Sequence, residues 1–411
     1  MKIYISGISG TGMGPLALMT KEAGYEVCGS DLSEGAVYPE LTKAGIDVKI
    51  GAQDGEFLKE KIADGVDWFV YTSALPEDHP ELLVAKAAGI RVSKRDDLIA
   101  FLVEKLNLKM VAVAGTHGKT TTTSMIVWTA LQLGLPVSYI VGTTLGFAPS
   151  GAYHKGDKYF VYEADEYDRN FLKFHPWVSV ITTVSYDHPD IYPTREDYEQ
   201  AFEQFKSQSE NIINNNTFSV QPNLFKLAGE VRRKDATLAT EAVIKMTSGQ
   251  VDTQKIVEIM DKFPGVGRRF EKLAEGIYTD YAHHPEEVEM TLGIANEEAR
   301  KNGTKGVVVV YQPHQNTRQH EVRDGYRKAF LQAERILWLP TYLTRENPDL
   351  AVLSAKELIS GLENCDSAEA VELNDELFER ILKYRDDGYL VILMTAGPAD
   401  EWLRKKLSSA Y

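Results

Sequence analysis

Short apolar runs alternate with amphipathic stretches along most of the chain, a pattern that predicts parallel sheets covered by helices. Lys2 to Ser6 reads as a strand. A glycine-rich turn from Gly7 to Gly14 follows, then Pro15 at an early helical position and a helix from Leu16 that stops at Gly24. Tyr25 to Asp31 is the next strand. The alternation runs on through Val66 to Ser73 and Ile90 to Ser93, and the amphipathic run Asp96 to Lys105 closes a doubly wound domain near Asn107.

A second series opens with the apolar strand Lys109 to Ala114, a glycine turn, and a helix from Ser124 that ends at Gly134 before Pro136. Val137 to Val141, Asp157 to Glu163 and Val178 to Val184 read as strands, and Thr194 caps an amphipathic helix reaching Phe205. The region from Gln208 to Pro222 is a short connection holding a strand fragment. A linker at Phe263 to Gly267 leads into a third series: Gly276 to Asp280, the fully apolar Gly306 to Tyr311, Ile336 to Leu339, Tyr389 to Thr395, and a closing helix from Asp400 to Leu407. The expected fold class is α/β with three domains, 1–107, 108–266 and 267–411.

Composition narrows the possibilities without changing this picture. A chain of 411 residues, 43% of them hydrophobic and 26% charged, can build several soluble cores. The formal charge of −15 argues against general nucleic-acid or anionic-membrane binding, so any anionic ligand must be met by local basic and backbone sites. Cys28 and Cys365 lack metal-ligand spacing, which fits a reducing cytoplasm better than a disulfide framework. No stretch approaches the ~20 apolar residues of a membrane span.

The chemistry concentrates in the turn after the second series' first strand: Gly115, Thr116, His117, Gly118, Lys119, Thr120 and Thr121. Strand, glycine turn with Lys-Thr, and helix make a phosphate cradle. Backbone N–H groups and the positive helix end surround the anion, Lys119 adds a point charge, and Thr120 can reach Mg²⁺. The leading glycine of the common form is absent, since Val113 stands there. Three strands end in polar groups suited to one magnesium ion: Thr120, Glu163 and His188. Glu163 opens an acidic run with Asp165, Glu166 and Asp168. At the amino terminus the turn holding Gly10, Thr11, Gly12 and Met13, with Ser30 and Asp31 at the end of the next strand and Ser73 at the end of a later one, suits a dinucleotide or nucleotide-sugar.

These motifs, with Gly267-Arg268-Arg269-Phe270, Asp280-Tyr281-Ala282-His283-His284-Pro285 and Gln312-Pro313-His314, occur in the order of the Mur ligases, and the chain resembles that family over nearly its whole length. The resemblance implies a Rossmann-like sugar-nucleotide domain, a central ATPase domain and a Rossmann-like carboxyl-terminal domain. It implies an ATP- and Mg²⁺-dependent ligase that joins L-alanine to UDP-N-acetylmuramate for peptidoglycan synthesis, as a cytoplasmic monomer or homodimer. In that reading Arg269 reaches the nucleotide phosphates, Asp280 the nucleotide ribose, and Arg318 the amino-acid carboxylate. Lys119 and His188 serve phosphoryl transfer, and His284 and His314 the incoming amine.

The match departs from the family in two places. The central domain is short, and where the family carries a base-contacting Gly-x-His-Asn-x-x-Asn this chain has Gly229 with Val231, Arg232 and Asp235; Arg232 reads as an exposed helix charge. Gln315 replaces an arginine near the amino-acid site. Two alternatives follow: a ligase that recycles a tripeptide onto UDP-N-acetylmuramate, and a nucleotide-gated binding protein without turnover.

Overall fold

The computed structural model describes residues 1–411 apart from 73–74, 189–190, 217–218, 345 and 411. Ser73, expected among the sugar-nucleotide contacts, therefore lies outside the described residues. Among the described residues three sheets form, and the chain divides into two compact units, 1–225 with 234–264, and 226–233 with 265–411. No helix among those residues is long and apolar enough to cross a membrane.

The first unit carries two sheets. β1 (Lys2–Ser6), β2 (Glu26–Asp31), β3 (Asp47–Ile50), β4 (Trp68–Tyr71) and β5 (Arg91–Lys94) form an all-parallel sheet in the order β3-β2-β1-β4-β5. The order reverses at β1, and the glycine turn emerges from the carboxyl end of that strand, where open α/β sheets bind ligands. The second sheet comprises β6 (Lys109–Ala114), β7 (Val137–Ile140), β8 (Gly151–Ala152), β9 (Tyr159–Glu163), β10 (Val178–Ile181) and β11 (Ile212–Ile213) in the order β11-β10-β6-β9-β7-β8. Only its β7–β8 edge pair is antiparallel among the described pairings. β6 is central and buried along nearly its whole length, which is why Met-Val-Ala-Val-Ala is continuously apolar rather than alternating.

One apolar core runs through both sheets of this unit. Ile3, Leu16 and Leu98 from the first belong to the same packed cluster as Ala112, Phe160 and Phe202 from the second. The helix Arg195–Ser207 adds Tyr198, Phe202 and Phe205 to that core, and its Thr194 cap accepts from Asp197 N as the sequence suggests. The helix after β6 begins at Lys119, not Ser124 as the apolar pattern alone implied. Its polar first turn of Lys-Thr-Thr-Thr-Thr is already helical because Gly118, at φ +83°, turns the chain directly into it.

The second unit holds β12 (Glu271–Ala274), β13 (Ile277–Asp280), β14 (Val307–Gln312), β15 (Arg335–Trp338), β16 (Ala368–Ala370) and β17 (Leu390–Thr395), ordered β12-β13-β17-β14-β15-β16. β12 is antiparallel to β13, and the other pairings are parallel. Helices cover both faces, with separate apolar cores on either side of β14 and β17.

Beneath the first glycine turn lies a buried carboxylate. Glu81, 1% exposed, accepts from the hydroxyls of Tyr4 (2.6 Å), Ser6 (2.6 Å) and Ser30 (2.5 Å) and from the Gln53 amide (3.3 Å). It ties the carboxyl ends of β1 and β2 to the helix Pro80–Ala87. Burial, then the nearby Glu81 charge, pushes the Tyr4 phenol far above its ordinary range, so it remains a donor. Removing the acceptor strands several buried donors at once. Glu81→Ala should cost ~3 kcal/mol in urea unfolding and Glu81→Gln distinctly less; equal, small losses would show that the network carries no stability.

Candidate active site

The phosphate loop of the first unit is fixed by its neighbour strand. Gly115 has φ +142°, and a Cβ there would lie 2.1 Å from Thr182 Oγ1 and 2.7 Å from Thr183 O, so only glycine fits. Thr116 N donates to Thr183 O (2.7 Å), His117 N donates to Thr183 Oγ1 (3.1 Å), and the Thr116 hydroxyl donates to Ser185 O (2.7 Å). The segment after β10 thus holds the loop open at the carboxyl edge of β6. Gly118 abuts Asp235, whose Oδ1 would be 2.6 Å from a Cβ at that position. Asp235 is buried and Arg232 is partly buried, not the exposed charge expected, because both lie on a helix, Glu230–Met246, that is largely covered.

Lys119 sits 2.8 Å from both oxygens of Glu166 and also donates to Gly115 O. Burial works against its charge, but the charges of Glu166 and Asp165 outweigh it and raise its pKa, so the lysine stays cationic. Burial pushes Glu166 upward while Lys119 opposes this. Glu166 was only one member of an acidic run in the sequence; its 1% exposure and its grip on Lys119 single it out. Thr120 Oγ1 donates to Glu163 Oε1 at 2.7 Å, and Glu163 Oε2 accepts from Gly142 N at 3.4 Å. Two hard oxygens converge there, the donor type and separation that adjacent sites on a magnesium ion require. Thr121 occupies the same first turn, partly buried. His188, at φ +59°, places Nε2 3.9 Å from Glu166 Oε1 and 3.6 Å from Asp187 Oδ2.

In the amino-terminal turn Gly10 and Thr11 are exposed and Gly12 is partly so, whereas the Met13 side chain is buried. The Ser30 hydroxyl is committed to Glu81, and Asp31 Oδ2 accepts from Ser9 N at 2.9 Å, bracing the turn. Gly10 N donates to Gly7 O (3.2 Å), so the exposed part of the turn that an anion could meet is Thr11 to Gly12.

The second unit has its own polar centre at the carboxyl ends of β13 and β14. The His283 and His314 rings lie 5.7 Å apart, and His314 stands beside Tyr342. The Tyr311 and Tyr326 hydroxyl oxygens lie 2.7 Å apart, with His283 O 3.0 Å from Tyr311 and Gln319 Oε1 3.0 Å from Tyr326, so the two protons are shared within this cluster. His284 caps the helix Pro285–Asn302, where Glu287 accepts from the backbone N–H groups of His283 (3.0 Å) and His284 (3.2 Å). Burial lowers the His283 pKa, Glu287 opposes this, and the Arg318 charge adds to the lowering. Gln315 caps the helix Asn316–Val322 at φ +62°. His283 carries no role of its own in the sequence pattern; Glu287, four residues on and 3.2 Å from its Nδ1, is the signal that sets it apart.

The two arginines before β12 differ. Arg268 donates to Thr395 O (3.0 Å) and lies 3.7 Å from Asp400, so it is built into the fold. The Arg269 guanidinium lies 5.1 Å from the Tyr281 ring centroid. Asp280, 7% exposed, accepts from Phe270 N (2.7 Å), Ala282 N (2.8 Å) and the Thr291 hydroxyl (3.2 Å); burial raises its pKa.

Residues 2–105 match the model of the Mur ligase family, catalytic domain, and residues 113–250 match the Mur ligase middle domain. The UDP-N-acetylmuramate–L-alanine ligase of Symbiobacterium thermophilum is 30% identical, over 98% of this chain and 92% of that one. That of Carboxydothermus hydrogenoformans is 31% identical over 100% and 97%. The latter alignment runs over 464 positions, more than the 411 residues here, so the relative carries segments this chain lacks. Among solved structures, the UDP-N-acetylmuramate-alanine ligase of Thermotoga maritima superposes with TM-score 0.77 at 23% identity over 100% of both chains. A murein peptide ligase of Psychrobacter arcticus gives 0.63 at 21% identity, over 100% of this chain and 98% of that one. At these identities both establish the fold.

An unfolded histidine accepts its proton near pH 6.5, whereas burial lowers the native value of His283. Its contribution to stability is therefore complete above about pH 6.5 and is lost as pH falls towards the depressed native pKa. Urea unfolding at about pH 7.5 and about pH 5.5 should show a loss of stability on acidification that His283→Gln reduces. Identical pH dependence in the two proteins would refute a buried neutral imidazole.

Proposed function

This chain belongs to the Mur ligase family, and on that footing we propose that it is an ATP-dependent ligase joining L-alanine to the lactyl carboxylate of UDP-N-acetylmuramate, a step of peptidoglycan precursor synthesis in the cytoplasm. The observation that carries the reading is the phosphate loop at the end of β6, with Lys119 gripped by Glu166 and Thr120 bonded to Glu163. The names of full-length relatives near 30% identity supply the substrates.

A carboxylate resists attack by an amine until an oxygen becomes part of a good leaving group. In the proposed reaction the acceptor carboxylate takes the γ-phosphoryl group of ATP, releasing ADP and giving an acyl phosphate. The alanine amine adds to the acyl carbon, and the tetrahedral intermediate collapses with loss of phosphate and a proton. Backbone amides at the start of the helix, from Gly118 onward, bind the triphosphate, and the Lys119 ammonium, kept charged by Glu166, offsets the charge that develops in transfer. Thr120 and Glu163 fit a magnesium ion, with His188 proposed as a further donor; when bound, the ion neutralises phosphate charge.

The turn at Gly10 to Gly12, above Asp31, is assigned to the sugar nucleotide. Arg269 and Asp280 are retained as nucleotide contacts. In the second unit Arg318 is proposed to meet the amino-acid carboxylate, and His284 or His314 to orient the amine and take its proton. Three domains, 1–107, 108–266 and 267–411, are proposed as the functional divisions of the chain; the two family-model matches, 2–105 and 113–250, support the first boundary.

Phosphate release that requires UDP-N-acetylmuramate, ATP and L-alanine together is the expected outcome. Activity with a tripeptide but not with single amino acids would replace this reading with the recycling ligase. Lys119→Ala should lower turnover roughly a thousandfold, by analogy with loss of one preorganised charge-stabilising donor; full activity would refute the phosphoryl-transfer role. Glu163→Gln should raise the magnesium concentration needed for nucleotide binding at least about tenfold, measured by titrating Mg²⁺ at fixed ATP. An unchanged titration would remove Glu163 from the metal site.

A further inference from the structure

Arg95 opens the helix Arg95–Lys105 directly after β5, in a seam of charge between the two sheets of the first unit. Around it Lys94 pairs with Asp168, Lys173 pairs with Asp97 (3.0 Å), and the Tyr162 phenol donates to Asp96 (2.9 Å). Those contacts lock helix to acidic loop. Arg95 is placed differently from its neighbours. Its Nη2 donates to Asp96 at a long 3.3 Å and lies 3.9 Å from Asp165. Its Nε is buried with no hydrogen-bond partner, and Nη1 lies 2.9 Å from where a Cβ on Gly12 would be.

A cation serving the fold alone would spend its donors on the carboxylates around it, since a buried donor left unmade costs about 1–3 kcal/mol. Here the guanidinium instead leans against the outward-facing glycine turn, where a larger residue at position 12 would collide with it. On its other side is Asp165, which with Glu166 contributes to the charge field around Lys119. Arg95 therefore touches the turn assigned to the sugar nucleotide at Gly12 and, through Asp165, the loop whose next residue, Glu166, holds Lys119 at 2.8 Å. A planar guanidinium with uncommitted donors is suited to a carboxylate or a phosphate, and the acceptor proposed above carries both. The approach to Asp165, next in sequence to the Glu166 that holds Lys119, favours the end of the acceptor that is to be phosphorylated.

Resting on the ligase reading above, we propose that Arg95 binds the carboxylate of the sugar-nucleotide acceptor and holds it towards the phosphate loop. The residue is a binding group that touches substrate, and Asp96 and Asp165 set its orientation. The diphosphate is the competing anion, and comparison of two sugar nucleotides separates the two.

Binding of UDP-N-acetylmuramate and of UDP-N-acetylglucosamine, which has the same diphosphate but no carboxylate, is to be measured by calorimetry without ATP for wild type, Arg95→Ala and Arg95→Lys. Arg95→Ala should weaken the muramate ligand about 10- to 100-fold while leaving the glucosamine ligand within about twofold. Arg95→Lys, which keeps the charge but loses the planar fork, should fall between and serves if the alanine variant does not fold. Equal weakening of both ligands would assign Arg95 to the diphosphate or to the fold, and no weakening of either would leave it purely structural; each overturns the proposal. A wild-type chain that binds neither ligand would instead defeat the ligase reading on which the proposal stands.

Discussion

The register between β6 and β10 is the constraint on which the first unit's chemistry depends. The two strands lie parallel with Ala114 opposite Ile181, so Thr182 and Thr183 emerge level with Gly115. The Thr183 carbonyl and hydroxyl accept from the Thr116 and His117 amides, and Thr182 Oγ1 with Thr183 O fills the space that a side chain at position 115 would need. A slip of one residue would turn each of these partners to the opposite face of the sheet. The loop's unusual spacing, with Val113 where a glycine commonly stands, is tolerated because Val113 is still within β6 and the turn begins later.

Two buried charges of this unit are held in company. Lys119 and Glu166 neutralise one another under the loop, and Glu81 is surrounded by hydroxyl and amide donors under the first glycine turn. Each ties elements that diverge in sequence to one point at the carboxyl edge of a sheet. Such groups are costly to desolvate and contribute little net stability against a well-packed apolar replacement, but they fix direction. Direction is what a site for phosphoryl transfer needs, because the attacking oxygen must meet phosphorus in line.

Much of this was legible in the sequence, for definite reasons. The central strands β6, β14 and β17 are covered on both faces, so they appear as unbroken apolar runs with no competing period. The grouping of Lys119, Thr120 and Glu163 was readable because β6 and β9 deliver them at the carboxyl edge of one sheet. The early start of the helix at Lys119 was not, since its first turn is entirely polar and helical by virtue of one glycine's backbone. Glu166 and Arg95 could not be ranked either. Both are charges in runs of charge, and what distinguishes them is burial and partners contributed from distant segments.

The shared core of the first unit has a thermodynamic consequence. Because Ile3, Leu16, Phe160 and Phe202 pack in one cluster, the turn above β1 and the loop above β6 stand on the same core, so a cavity opened in that core is felt beneath both.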